Sequence, residues 1–110
     1  GQPTWTGDVA AMVERLVDSE ISHGIFHATN SGEASWYDFA RAVFREAGLD
    51  GNRIRPVTSD AFPRPAPRPT YSVLGHSAWE HHGFPAPRPW EEALAEAWEK
   101  ELHLVLEGDV

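Results

Sequence analysis

The sequence predicts a small α/β domain that is mostly helical, with a few short strands and proline-rich loops. Three observations predict it. Apolar residues recur at helical spacing in three segments, residues 8–17, 36–47 and 90–98. Between the first two lies the run Gly24-Ile-Phe-His-Ala-Thr29, long enough for a strand and too short for a helix. Seven of the nine prolines fall between Pro63 and Pro89, which imposes irregular backbone there. A chain of 110 residues with 41% hydrophobic content can bury one modest core.

Residues 1–6 read as extended. Asp8 is the expected N-cap of a first helix whose buried stripe is Val9, Met12, Val13, Leu16 and Val17. Residues 20–23 form a turn, and 24–29 the short strand. The central helix carries the fullest set of signals. Ser35 followed by Asp38 makes a capping box with Asp in the usual Glu position, worth roughly 1 kcal/mol. Trp36, Phe39, Ala40, Val43, Phe44 and Ala47 then follow the i, i+3, i+4, i+7 series of one buried face, so Trp36 is expected in the core. Gly48 is placed to end the helix in the left-handed region, with Leu49 folding back. Asp50-Gly51 is a turn, and residues 53–58 form at best an edge strand because of Pro56.

Four prolines between Pro63 and Pro69 favour polyproline II or a rigid loop. Residues 71–74 are extended. Ser77 is the expected cap of a short helix over 78–82 that Gly83 stops, and Pro89 the first residue of a last helix. Trp90, Ala93, Leu94, Ala97 and Trp98 line one face of that helix, with Glu91 and Glu92 at its positive end. The apolar end, residues 102–106, fits a helical extension and a strand equally.

Composition excludes several functions. With no cysteine there is no disulfide, thiolate metal site or cysteine nucleophile. A net charge of −8 argues against nucleic-acid binding, and no apolar run is long enough to span a membrane. The start is neither basic nor followed by an apolar stretch, so a cytoplasmic location is expected. Among the six histidines, His76, His81 and His82 cluster with Glu80, but no metal-binding spacing such as His-Glu-x-x-His is present. No Gly-x-Ser-x-Gly elbow supports a serine hydrolase.

The block Ser31-Gly-Glu-Ala-Ser-Trp-Tyr-Asp-Phe-Ala-Arg41, preceded by Gly24-Ile-Phe-His27, resembles the C-terminal part of the dTDP-4-dehydrorhamnose reductases, a family of extended short-chain dehydrogenase/reductases. Gly1-Gln-Pro-Thr4 with Asp8-Val-Ala10 resembles the family's Gly-x-Pro-Thr…Asp-x-Ala stretch, and Arg68-Pro-Thr-Tyr-Ser-Val-Leu74 its Arg-Pro-x-x-Ser-x-Leu. Gly75 departs from the acidic residue common after that block. The resemblance implies that residues 1–110 are the substrate-binding lobe of a Rossmann-like parent, covering roughly its last third.

The family's hydride-transfer parts are missing here. The nine glycines form no Gly-x-x-Gly-x-x-Gly or Gly-x-Gly-x-x-Gly phosphate loop. Tyr37 and Tyr71 are followed four residues on by Arg41 and Gly75, not lysine, and the sole lysine is Lys100, so no Tyr-x-x-x-Lys pair exists. The nucleotide-binding Rossmann domain is therefore expected outside this chain, which alone should be inactive. The resemblance implies NADPH or NADH as the parent enzyme's cofactor, none of it held by this lobe, and a dTDP-sugar as substrate. Arg68, Ser72, Thr4 and Arg64 are the candidate substrate-binding residues; Arg88 is a third cation in the proline-rich region, each arginine fitting a diphosphate or a neighbouring aromatic ring. Other assignments of the same fold are a nucleotide-sugar epimerase or dehydratase, and a non-catalytic subunit like the beta subunit of methionine adenosyltransferase. A lobe cut from its parallel sheet should self-associate through residues 24–29.

Overall fold

In the computed structural model, which describes residues 1–55, 66 and 71–104, the chain is helix-rich with little strand. The elements are α1 (Thr6–Val17), α2 (Trp36–Glu46), a 3-10 turn (Gly51–Arg53), α3 (Ser77–His81) and α4 (Trp90–Ala97), which runs on into a π-helical turn (Trp98–Leu102).

The α2 helix forms as its sequence dictates. Ser35 Oγ accepts from Asp38 N at 3.0 Å while Asp38 Oδ2 accepts from Ser35 N at 3.3 Å, closing the capping box. At the other end Gly48 takes φ +75°, Leu49 N donates to Phe44 O at 2.8 Å, and Gly48 N to Arg45 O at 3.0 Å. These two bonds satisfy carbonyls the helix leaves free. The same closure recurs after α3, where Phe84 N donates to Trp79 O at 2.9 Å beyond Gly83.

Two apolar centres hold the described residues. In one, Ala42 of α2 packs with Ala34, Trp90 and Leu94, flanked by Phe39 and Val43, and the Phe39 and Trp90 rings meet edge to face at 6.1 Å. In the other, Trp79 of α3 is 1% exposed between Phe26 (5.0 Å) and Phe84 (5.8 Å).

Several expectations are corrected. Residues 24–29 form no strand: the one isolated β-pairing among the described residues is the parallel bridge between Ser31 and Pro89, where Ser31 N donates to Arg88 O and Trp90 N to Ser31 O. A strand needs a ladder partner, and none of the described segments pairs with 24–29; Ile25 faces solvent while Phe26 packs on Trp79. Trp36 is 77% exposed rather than core, because it sits on the first residue of α2, where its ring meets the edge of Phe39 at 6.2 Å. In α1 Met12 alone is buried, while Val13 and Val17 are exposed, since no described helix packs over that face.

Helix starts also shift. Trp5, without a side-chain cap, precedes α1, and Asp8 lies inside its first turn because Asn30 and Arg88 take the carboxylate. His76, not Ser77, is the N-cap of α3, and Pro89 is the N-cap of α4 rather than its first residue. Arg53 belongs to the 3-10 turn, residues 54–55 join no strand among the described residues, and the remainder of the suggested 53–58 edge strand lies outside them. The proline run 63–69 lies outside them too, Ala66 excepted. The chain after α4 stays helical to Leu104.

Candidate functional site

Three irregular segments meet at one surface: residues 1–5 ahead of α1, residues 30–35 ahead of α2, and residues 71–76 ahead of α3. Gly1 and Ala34 exchange backbone hydrogen bonds, Gly1 N to Ala34 O at 3.1 Å and Ala34 N to Gly1 O at 2.9 Å. The Gln2 side-chain amide does the same with Leu74, Nε2 donating to Leu74 O at 3.1 Å and Oε1 accepting from Leu74 N at 2.8 Å. A side chain thus replaces a strand neighbour and holds the 71–74 segment. Ser72 follows from this register: a Cβ placed on Gly1 would lie 3.8 Å from Ser72 Oγ. Thr4 Oγ1 donates to Gln2 O at 2.9 Å and accepts from Asn30 N at 3.3 Å. Its donor is spent, so toward a ligand it has one lone pair to offer.

Exposed groups rim this surface. Tyr71 is 69% exposed, and the Glu33 carboxylate beside it pushes the phenol above its usual value, by hydrogen bonding first and by charge second. Trp36 stands three residues beyond Glu33.

Beneath lies a polar network that the sequence does not announce. Asn30, 1% exposed, accepts from Trp5 N at 2.9 Å and donates to Asp8 Oδ2 at 2.6 Å and Arg88 O at 3.4 Å. Arg88 grips Asp8 with two bonds, Nε to Oδ2 at 2.8 Å and Nη2 to Oδ1 at 2.9 Å, and reaches Glu96 at 3.3 Å. Burial alone would raise the Asp8 carboxyl; hydrogen bonds from Arg88 and Asn30, with the guanidinium charge, outweigh it and hold the group below 3.8. Arg88 also lies over the Trp5 ring, 5.7 Å from its centroid. Of the two readings open for Arg88, a diphosphate or a neighbouring aromatic ring, the structure has the ring, with the guanidinium also committed to two carboxylates.

On the far side of residues 71–76, His27 Nδ1 donates to Gly75 O at 3.0 Å, and Thr29 Oγ1 and His76 Nε2 are 2.6 Å apart. Burial holds His76 below its usual pKa, helped by His27 and opposed by Glu80. Among the described residues no three His, Cys, Asp or Glu side chains are grouped to hold a metal. A separate groove of about 420 Å³, lined by Asp38, Arg41, Arg45, Asp50, Asn52 and Glu91 among others, involves none of the candidate residues.

Of the residues singled out from sequence, Thr4 and Ser72 come to the same surface through Gln2. Arg64 and Arg68 lie outside the described residues. Asn30, Gln2 and Asp8 were missed as site-forming residues. For Asn30 the one available signal was a lone amide at the end of an apolar run; Asp8 and Arg88 are 80 positions apart and carry no local sign of each other.

Residues 1–103 match the family model described as the RmlD substrate binding domain. The chain belongs to this family. It is 53% identical over 89% of its length to a probable dTDP-4,6-dihydroxy-2-methyloxan-3-one 4-ketoreductase of Streptomyces antibioticus, covering 33% of that protein. It is 49% identical to a dTDP-4-keto-6-deoxy-D-glucose reductase of Streptomyces niveus and 46% identical to a dTDP-4-dehydrorhamnose reductase of Mycolicibacterium smegmatis, covering 34% and 30% of those proteins and 89% and 88% of this chain. A crystal structure of dTDP-4-dehydrorhamnose reductase from Bacillus anthracis in complex with NADP superposes with a TM-score of 0.81 at 30% identity, over 92% of this chain and 34% of that one. The RmlD-type lobe thus spans about a third of the length of the curated relatives it matches. No described helix is long and apolar enough to cross a membrane.

Proposed function

We propose that this chain is the C-terminal, substrate-binding portion of a dTDP-4-dehydrorhamnose reductase, which reduces dTDP-4-dehydro-L-rhamnose to dTDP-L-rhamnose in the cytoplasm with NADPH or NADH. The match of residues 1–103 to the RmlD substrate-binding family carries the reading. In it Ser72 and Thr4 contact the dTDP-sugar, joined by Arg68 and Arg64 on the preceding segment. Nicotinamide supplies hydride to the keto carbon when bound. The residues of this chain do not fit that cofactor: no glycine-rich loop opens a helix, and no Tyr-x-x-x-Lys pair is present to deliver the proton. Both belong to a nucleotide-binding Rossmann domain beyond these 110 residues. What the lobe does is bind, orient and enclose the sugar nucleotide.

The two Streptomyces relatives favour a second reading, a ketoreductase acting on a different dTDP-linked 4-keto-6-deoxy sugar. An epimerase, a dehydratase and a regulatory subunit find no such support. Self-association of the excised lobe stays part of the proposal, resting now on exposed Val13, Val17 and Ile25 rather than on a strand edge; sedimentation equilibrium reads it directly. The deciding experiment follows nicotinamide absorbance with the full-length protein and dTDP-4-dehydro-L-rhamnose. Turnover is expected there and none with the 110-residue chain alone. Turnover on dTDP-4-keto-6-deoxy-D-glucose in its place selects the second reading, and turnover on neither substrate refutes both.

A further inference from the structure

The bonds around Asn30 connect to the candidate ligand surface in an unbroken relay. Its side chain fixes both the Trp5 amide and the Asp8 carboxylate, so the amide orientation is forced: oxygen toward Trp5 N–H, nitrogen toward Asp8. Its backbone N–H donates to Thr4 Oγ1, Thr4 donates to Gln2 O, and the Gln2 amide holds Leu74 at both backbone groups, two residues from Ser72. On the other side Asp8 is locked by Arg88, whose carbonyl accepts from Asn30 and from Ser31 N. Side chains with other chemistry cannot take this place. Aspartate would set a second carboxylate 2.6 Å from Asp8, and alanine would leave the Trp5 amide and Asp8 each short of a partner.

We infer that Asn30 is a positioning residue for substrate: its side chain holds the Trp5 amide, next to Thr4, and Asp8 in the first turn of α1, and so sets residues 1–5, placing Thr4 through Trp5 and Ser72 through Gln2. This rests on the reading of Thr4 and Ser72 as dTDP-sugar contacts. The Gln2–Leu74 clamp lies at the surface, outside both apolar centres, so the relay is separable from what holds the helices together.

The test is calorimetric titration of the full-length protein with dTDP-L-rhamnose, and separately with NADPH. Asn30→Asp is expected to weaken dTDP-L-rhamnose binding at least about tenfold, equivalent to about 1.4 kcal/mol, with NADPH affinity and the number of binding sites retained. Gln2→Ala cuts the relay at the surface and should weaken the sugar nucleotide in the same direction even if Asn30→Asp does not fold. Unchanged dTDP-L-rhamnose affinity in Gln2→Ala and in folded Asn30→Asp overturns the inference while the functional reading stands. Failure of the unsubstituted protein to bind dTDP-L-rhamnose, or no effect of Ser72→Ala, marks the failure of the reading itself.

Discussion

Replacing Trp79 with alanine should come close to unfolding this chain. The indole is 1% exposed, in edge contact with Phe26 and Phe84, and its Nε1 donates to His27 O at 3.1 Å. A tryptophan buries about 150–250 Å², which at about 25 cal/mol per Å² gives roughly 4–6 kcal/mol of transfer free energy. Measured losses for large aromatic truncations run about 3–5 kcal/mol, because the site partly collapses. The orphaned His27 carbonyl adds about 1 kcal/mol or more. A domain of this size holds only about 5–15 kcal/mol in all. Urea titration followed by circular dichroism should move the midpoint by roughly 2 M, taking a slope near 2 kcal/mol per M. Trp79→Phe keeps a ring but loses the donor and should cost less than half as much. A shift under about 1 kcal/mol for Trp79→Ala would refute the view that α3 is anchored by this ring, since burial without energetic consequence contradicts the packing argument.

Trp36→Ala should change stability by no more than about 0.5 kcal/mol, as for an exposed position, in contrast with Trp79→Ala in the same titration. Gly48→Ala should destabilise by about 1–2 kcal/mol through its left-handed backbone alone, because a Cβ there meets nothing within 4 Å; Gly48→Asn should cost less in the same assay. Asp8 is held below its usual pKa in the folded chain, so its contribution is fully present above pH 3.8 and is lost as pH falls through the lower folded value. Asp8→Asn should therefore flatten the acid limb of the stability curve, which unfolding free energies measured in steps from neutral pH to strongly acid conditions would reveal.

The sequence by itself determined what depends on neighbours within a turn or two. The Ser35–Asp38 box, the closure at Gly48 and Leu49, and the buried face Trp90, Ala93, Leu94 and Ala97 were all legible, because caps and helical periodicity are local. The resemblance in the Ser31, Gly1 and Arg68 blocks pointed to the family that the match over residues 1–103 then showed. Tertiary structure alone decided which apolar residues are covered. Trp36, Val13 and Val17 have the right period, but period says which side a residue faces and not whether anything packs there. Likewise 24–29 has strand composition and no ladder partner among the described residues. The Asn30–Asp8–Arg88 network was invisible for the same reason. Its members come from three distant stretches, and a hydrogen bond across 80 residues leaves no pattern in the chain; only folding brings the carboxylate, the amide and the guanidinium to one point.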